Sequence, residues 1–203
     1  MEPLSHHLLT QAYNNGWANH RLYKACLQLT QDEFVAPRCS FFPSIKATLN
    51  HLLTVDWFYL HMLECEQRGE QPDADGERFF DPEQPFATCT DLHAEQAQAD
   101  HRLIAYCRGL RDGELARYVS IVRPERVQRE QRLRLLAHLF EHQVHHRGQV
   151  HAMLSDTAVR PPQLDEFFCE EEAGLRAADF AELGWTEEQV WKGLGAALQP
   201  FAG

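Results

Sequence analysis

Apolar residues recur at intervals of three and four over four long stretches of the chain, which is the spacing of amphipathic helices. The stretches run from about Ser5 to Leu29, Ser44 to Arg68, Thr90 or Asp91 to Leu110, and Arg129 to Ser155. Ser5 and Ser44 are suitable N-caps for the first two. The second stretch is apolar on more than one side, which predicts a deeply buried helix. The pattern therefore predicts an all-α fold.

The connections between these helices differ in length and character. Thr30 to Glu33 predicts a stop, followed by an irregular segment through Pro43. Residues 69–90 contain three prolines and two glycines and are long for a connection between packed helices, which predicts a crossover. Tyr118 to Val122 is β-prone and is followed by a turn at Pro124, so a small hairpin is expected.

The C-terminal region predicts shorter elements. Pro161 and Pro162 end the fourth helix, residues 164–169 predict a short helix, and residues 177–203 predict two helical pieces. Thr186 and Gln189 fit a capping box that opens the second piece. We expect residues 1–172 to form one domain and residues 173–203 to form a helical extension packed on it. Trp185 and Trp191, expected to be exposed, are compatible with a homodimer.

Charge and cysteine content exclude several classes of protein. The 203 residues include 19 Lys and Arg against 30 Asp and Glu, a net charge of −11 that disfavours nucleic-acid binding. The arginine-rich run 123–134 is interpreted as a solvated connection and helix start. The six cysteines form no CxxC pair, which is typical of reduced thiols. No leader and no apolar run of membrane length is apparent, so a cytoplasmic protein with no membrane partner is expected.

The fourth helix carries the candidate chemistry. His138, His142 and His146 are spaced i, i+4 and i+8 on a face otherwise built from apolar residues. Buried imidazoles need partners, and two of them one helical turn apart can share a divalent metal. Core histidines bonded to backbone carbonyls are the alternative. The HExxH motif is absent, because Gln143, Val144 and His145 separate the pair, so the metalloprotease base is missing.

A third ligand is expected from the second helix. His51 is the one histidine in its buried middle, and Asp56 is either an acceptor for a ligand imidazole or a polar-face residue. Three histidines leave a coordination position open. Zn²⁺ is the first choice, and Ni²⁺, Co²⁺, Fe²⁺ and Mn²⁺ also suit such a site.

Residues beside the ligands have open roles. His145 is a candidate catalytic proton shuttle, or a helix contact or surface histidine. Arg147 is a candidate for holding an anionic group of the substrate, or a structural ion pair. His138 is either a group that supports the ligands or one that packs near the mouth of the site. Gly148 predicts a close approach of another helix.

Four segments make the chain resemble the DinB family, the DinB/YfiT-like metal-binding proteins. They are residues 13–19 (YNNGWAN), 44–56 (SIKATLNHLLTVD), 138–149 (HLFEHQVHHRGQ) and 165–168 (DEFF), within a similarity that covers about residues 1–172. The resemblance implies a four-helix bundle of up-down-down-up order with a long crossover. It also implies a metal site formed by His51, His142 and His146.

The resemblance further implies a metalloenzyme acting on a small-molecule substrate, either a thiol-dependent S-transferase that uses a low-molecular-weight thiol or a hydrolase. The alternative is a non-catalytic metal-binding or stress-response protein, in which the metal is structural or sensed. An open coordination position beside a cavity favours an enzyme, whereas a fourth protein ligand favours the alternative.

Overall fold

A computed structural model of the protein describes residues 2–191. The chain is mostly helical, with one antiparallel hairpin in that range. The helices are α1 (Pro3–Cys26), α2 (Gln31–Val35), α3 (Ile45–Arg68), α4 (Cys89–Arg108), α5 (Arg132–Leu154), α6 (Ala173–Leu183) and α7 (Glu187–Trp191). The hairpin strands are β1 (Tyr118–Arg123) and β2 (Arg126–Gln131), and they pair in antiparallel register.

The four long helices share one core. Helix α1 packs against α4 and α5, and α3 packs against the same two helices. Trp17 of α1, Leu53 of α3 and Leu139 of α5 are fully buried within it. The all-α class is confirmed, whereas the up-down-down-up order and the division at residue 172 stay predictions. The six cysteines form no disulfide, and no helix in residues 2–191 is long and apolar enough to cross a membrane.

The start of α3 agrees with the prediction, and the start of α1 does not. The Ser44 hydroxyl accepts from the backbone N–H of Ala47 at 3.1 Å and caps α3. Helix α1 instead begins at Pro3, with Glu2 as its N-cap. Proline suits the first helical position because its missing N–H would have no partner there. Ser5 therefore lies inside the first turn, where its hydroxyl donates to the carbonyl of Glu2.

The segment predicted as irregular after α1 contains the short helix α2. Thr30 accepts from the N–H of Glu33 at 3.3 Å, and the Glu33 carboxylate accepts from the N–H of Thr30 at 2.8 Å. This is a complete capping box, which starts a helix. The same polar run therefore follows the end of one helix and begins the next.

The predicted hairpin is present, and it shortens the fourth helix. Residues 129–131, expected to begin that helix, lie in β2 and pair with residues 118–120 of β1. Helix α5 begins at Arg132, whose guanidinium is buried against the Glu66 carboxylate. Pairing with β1 satisfies backbone groups that a longer helix would have used, so tertiary contact overrides the local helical pattern.

The C-terminal region differs from its predicted elements. Residues 164–169 form no helix, and Arg176 donates to the carbonyls of Glu166 (3.3 Å) and Cys169 (2.8 Å) in this segment. Helix α6 begins at Ala173, four residues earlier than expected. Thr186 does cap α7 through the N–H of Gln189 at 3.1 Å. The remainder of the predicted second piece, residues 192–203, lies outside the described residues.

The expected exposure of the two tryptophans is wrong. Trp185 is half-buried against Tyr13, with ring centroids 4.9 Å apart, and Trp191 is half-buried against Phe167 at 5.4 Å. Both rings thus cover the chain's own core, and the homodimer stays a prediction without this support.

A buried polar network joins α1, α4 and α5. Asp100 of α4 accepts from the side-chain amides of Asn15 and Asn19 on α1, at 3.0 and 2.9 Å. Arg147 of α5 donates to the Oδ1 atoms of the same two asparagines. Each asparagine is therefore held between a carboxylate and a guanidinium, and its amide orientation is determined by that charge pattern.

The network continues into α3. Asp56 accepts from Gln96 at 2.7 Å and from Gln143 at 2.5 Å, and Gln143 in turn accepts from Arg147 at 3.2 Å. Burial raises the pKa of Asp56 to about 6. Burial, and then the charge of Asp56, raise the pKa of Asp100 to about 7. One guanidinium cannot neutralise two ionised carboxylates, so the buried network favours a retained proton.

We expect Asp100→Asn to gain stability relative to wild type as the pH rises. A carboxyl whose pKa is raised in the folded state contributes its full stabilisation of that state below its unfolded pKa of about 3.9. This stabilisation is lost as the pH rises through the folded pKa. The difference in unfolding free energy between variant and wild type should therefore shift by about 1 to 3 kcal/mol in the variant's favour between pH 4 and 7. Urea denaturation across that range measures it. The exposed Asp81→Asn should show no such trend, and a flat difference for Asp100→Asn would contradict the prediction.

Trp185→Ala should destabilise the whole fold if the C-terminal helices are part of the core. Loss of a half-buried aromatic ring should lower the free energy of unfolding by about 2 kcal/mol. Leu175→Ala in α6 is the matched control, because that side chain is 58% exposed and should cost little. An unchanged main transition for Trp185→Ala, with a separate early loss of helix, would show that the extension unfolds independently.

Candidate metal centre

The structure brings His51 of α3 together with His142 and His146 of α5. One ring nitrogen from each of the three lies within 4.8 Å of the other two. The Nε2 atoms of His51 and His142 are 3.0 Å apart. Metal–nitrogen bonds of about 2.0 to 2.1 Å place two nitrogens of one tetrahedral ion roughly 3.3 Å apart, so the observed separation is close to that of a shared ion.

The interior network sets the rotation of α5 that presents these ligands. Gln143 and Arg147 each follow one ligand in the sequence, and both turn into the buried network. Successive helical residues point about 100° apart, so His142 and His146 face α3 at the edge of the core. His146 is 7% exposed and His142 is half-buried.

The three rings are held neutral, as ligands must be. Burial lowers the pKa of His51 to about 4 and that of His142 to about 3. Burial also lowers the pKa of His146, against the hydrogen bond to Gln149, which raises it. Charge on a neighbouring histidine lowers the pKa further, from His146 for His51 and His142 and from His145 for His146. Neutral imidazoles retain the lone pair that binds a divalent cation.

Gln149 determines the tautomer of His146. Its Oε1 lies 2.8 Å from Nδ1 of His146, so Nδ1 carries the proton and Nε2 remains available for a metal. The Gln149 amide nitrogen donates to Nε2 of His145 at 3.1 Å. Nδ1 of His142 is buried with no partner among the described residues. This donor set, with two Nε2 atoms facing each other, fits a bound divalent cation.

No fourth protein ligand joins the three histidines in residues 2–191. Phe42, in the segment before α3, lies against the site instead. Its ring centroid is 4.2 Å from that of His51 and 5.6 Å from that of His146. An apolar ring beside three neutral ligands limits access of water without occupying a coordination position.

The two candidate catalytic residues lie in different environments. His145 is exposed, with its ring 4.8 Å from that of His146, and it is joined to that ligand through Gln149. Arg147 is 5% exposed and donates to Asn15, Asn19 and Gln143, and burial lowers its pKa to about 10. Its contacts are those of a residue that holds helices together, and both catalytic roles stay predictions.

Three neighbouring residues are also located by the structure. Asp56 is buried and bonded to glutamines, so neither of its two predicted roles describes it. His138 is exposed, 6.1 Å from His142 between ring centroids. The predicted close approach at Gly148 is wrong for the part of the chain that the structure describes, because a Cβ atom there would meet no heavy atom of another element within 4 Å.

A second cluster of potential ligands is explained by ion pairs. His20, Asp179 and Glu182 lie close together on α1 and α6. Arg21 pairs with Asp179 at 2.6 Å, and Lys24 pairs with Glu182 at 2.7 Å. The chain's own cations therefore neutralise these carboxylates, and the cluster is a salt-bridge network between two helices.

Two residues of the centre were not predicted from the sequence, and they are Gln149 and Phe42. Gln149 stands three positions after His146, a spacing that allows contact on one helix face and could have suggested it. Phe42 lies in an irregular segment, nine residues before His51, and no periodic pattern connects the two.

Comparison with protein families identifies a match over most of the chain. No curated protein matches the chain. The profile of the DinB family matches residues 5–183, which is most of the chain, and the match includes all three clustered histidines. The chain therefore belongs to the DinB family.

Proposed function

We propose that the protein is a divalent-metal-dependent enzyme of the thiol-dependent S-transferase or hydrolase type, acting on a small molecule. The observation that carries the proposal is a set of three neutral imidazoles with no fourth protein ligand in residues 2–191. A structural metal site is normally closed by four protein ligands, whereas a catalytic one keeps a position open. We further propose that the four long helices form the up-down-down-up bundle implied by the family resemblance.

The chain's own residues would act by holding and orienting groups. His51, His142 and His146 would hold the metal, with Zn²⁺ the first choice and Ni²⁺, Co²⁺, Fe²⁺ or Mn²⁺ as further candidates. A divalent ion with an open position acidifies a water or a low-molecular-weight thiol that reaches it. Gln149 would keep His146 in its ligating tautomer.

The residues around the ligands would limit the access of water and exchange protons with solvent. Phe42 would shield one side of the site from solvent, because its ring lies against two of the three ligands. His145 would exchange protons with solvent, since it is exposed and reaches the ligand helix face through Gln149. Arg147 would act at a distance, by holding α5 in the rotation that presents the ligands.

Metal analysis of the purified, untagged protein tests the site. We expect about one equivalent of divalent metal in wild type, and a loss of affinity of roughly a hundredfold or more in His51→Ala and His142→Ala, because each removes a ligand from a site of three. His145→Ala is the matched control: it removes an exposed histidine one position from His146 and should leave the metal content unchanged. Elemental mass spectrometry provides the readout.

Reactivity of the metal-loaded protein separates the proposal from its alternative. Thiol transfer or hydrolysis that depends on the bound metal, and is lost in His51→Ala, would support an enzyme. A folded wild-type protein that takes up no metal even after reconstitution would overturn the metalloenzyme proposal. Bound metal with no open position, detected as a closed four-ligand set by X-ray absorption, would favour the structural or sensing protein.

A further inference from the structure

The hairpin places a cluster of positive charge on an otherwise acidic protein. Residues 117–134 contain six arginines and two glutamates, whereas the whole chain carries a net charge of −11. Arg117 pairs with Glu114 at 3.0 Å, and the buried Arg132 pairs with Glu66. The other four arginines of this segment have no carboxylate partner among the described residues, and they are Arg123, Arg126, Arg129 and Arg134.

A cleft of about 260 Å³ opens between this hairpin and helices α3 and α5. Arg134 and His138 line its α5 side, Tyr59 lines its α3 side, and Glu130 lines the strand side. Arg123 donates to the Tyr59 hydroxyl at 3.1 Å, which places a second guanidinium against the α3 wall. A cleft of this volume can hold a small organic molecule.

One residue of the cleft, His138, lies beside the histidine cluster. The rings of Tyr59 and His138 are 5.5 Å apart, and His138 is 6.1 Å from His142. The cleft and the histidine cluster therefore lie near each other between α3 and α5, with His138 on the cleft wall. A molecule in the cleft that extended past His138 would come next to His142.

We propose that this cleft binds the anionic group of the small-molecule substrate, with Arg134 as the residue that selects for negative charge. This inference rests on the proposed function for its connection to the metal centre. Guanidinium groups recognise carboxylates through charge-assisted hydrogen bonds, and an arginine-rich segment on an acidic protein concentrates anions locally. The Glu130 carboxylate, which accepts from Gln128 at 2.8 Å, repels a negatively charged ligand. A ligand with few negative charges is therefore favoured over one with many.

Titration with succinate, monitored by amide chemical shifts, tests the cleft without metal. We expect saturable shifts at Ile121, Leu135 and His138 with succinate, and none with uncharged butane-1,4-diol. Arg134→Gln should weaken succinate binding by about three- to tenfold, and Glu130→Gln should strengthen it by a similar factor. Arg160→Gln makes the same charge change at an exposed arginine outside the segment and should leave binding unchanged. Added salt should weaken binding.

The opposite results would overturn the inference. They are equal shifts with the diol, equal effects of Arg134→Gln and Arg160→Gln, or shifts confined to residues outside the cleft. Tight binding of a single-stranded oligonucleotide through the same arginines at physiological salt would also overturn it, by identifying a nucleic-acid surface in place of a small-molecule cleft.

A second titration separates failure of this inference from failure of the proposed function. Protein loaded with Co²⁺ is titrated with 8-mercaptooctanoate, which is long enough to reach from the metal to Arg134, and with uncharged 8-mercapto-1-octanol, and the visible spectrum is recorded. Preference for the anionic thiol, reduced in Arg134→Gln, supports both proposals. Equal affinity for the two thiols overturns the selection by charge and leaves the metal centre standing. Failure to take up Co²⁺ overturns the metal centre, while the succinate result still decides the cleft.

Discussion

The relative positions of α1, α4 and α5 are fixed by the buried contact of Asp100 and Arg147 with Asn15 and Asn19. Each asparagine offers an amide nitrogen to the carboxylate and a carbonyl oxygen to the guanidinium, so α1, α4 and α5 meet in one arrangement only. A buried charge left without its partner costs several kcal/mol, so alternative rotations of these helices are strongly disfavoured. The network therefore contributes specificity to a core that apolar packing alone would hold less uniquely.

The same network positions the candidate metal centre, because neighbouring residues on a helix point in fixed relative directions. Arg147 points into the network, so its neighbour His146 is turned toward α3 and His51. Gln143 relates to His142 in the same way. The ligands are thus positioned by the residues that follow them in the sequence. An arginine predicted to serve either the substrate or an ion pair acts in this structure as a support for the helix.

The prediction of the helices succeeded where local signals agree with tertiary contacts. Ser44 caps α3 as expected, because capping depends on residues within one turn. It failed at residues 129–131, which pair with β1 as part of β2, and at residues 164–169, which form no helix and contact Arg176 of α6 through two carbonyls. In both places the segment contacts another element, which its local sequence pattern does not encode.

The all-α class, the family and the three clustered histidines could be predicted from the sequence alone, because helical periodicity and i, i+4 spacing are properties of single segments. The structure was needed to show that Phe42 lies against two of the clustered histidines, that Asp56 belongs to the interior network, and that Arg134 of the arginine-rich run lines a cleft near His138. These relations join residues from different elements, and no local pattern encodes the distance between two helices or the face that a hairpin covers.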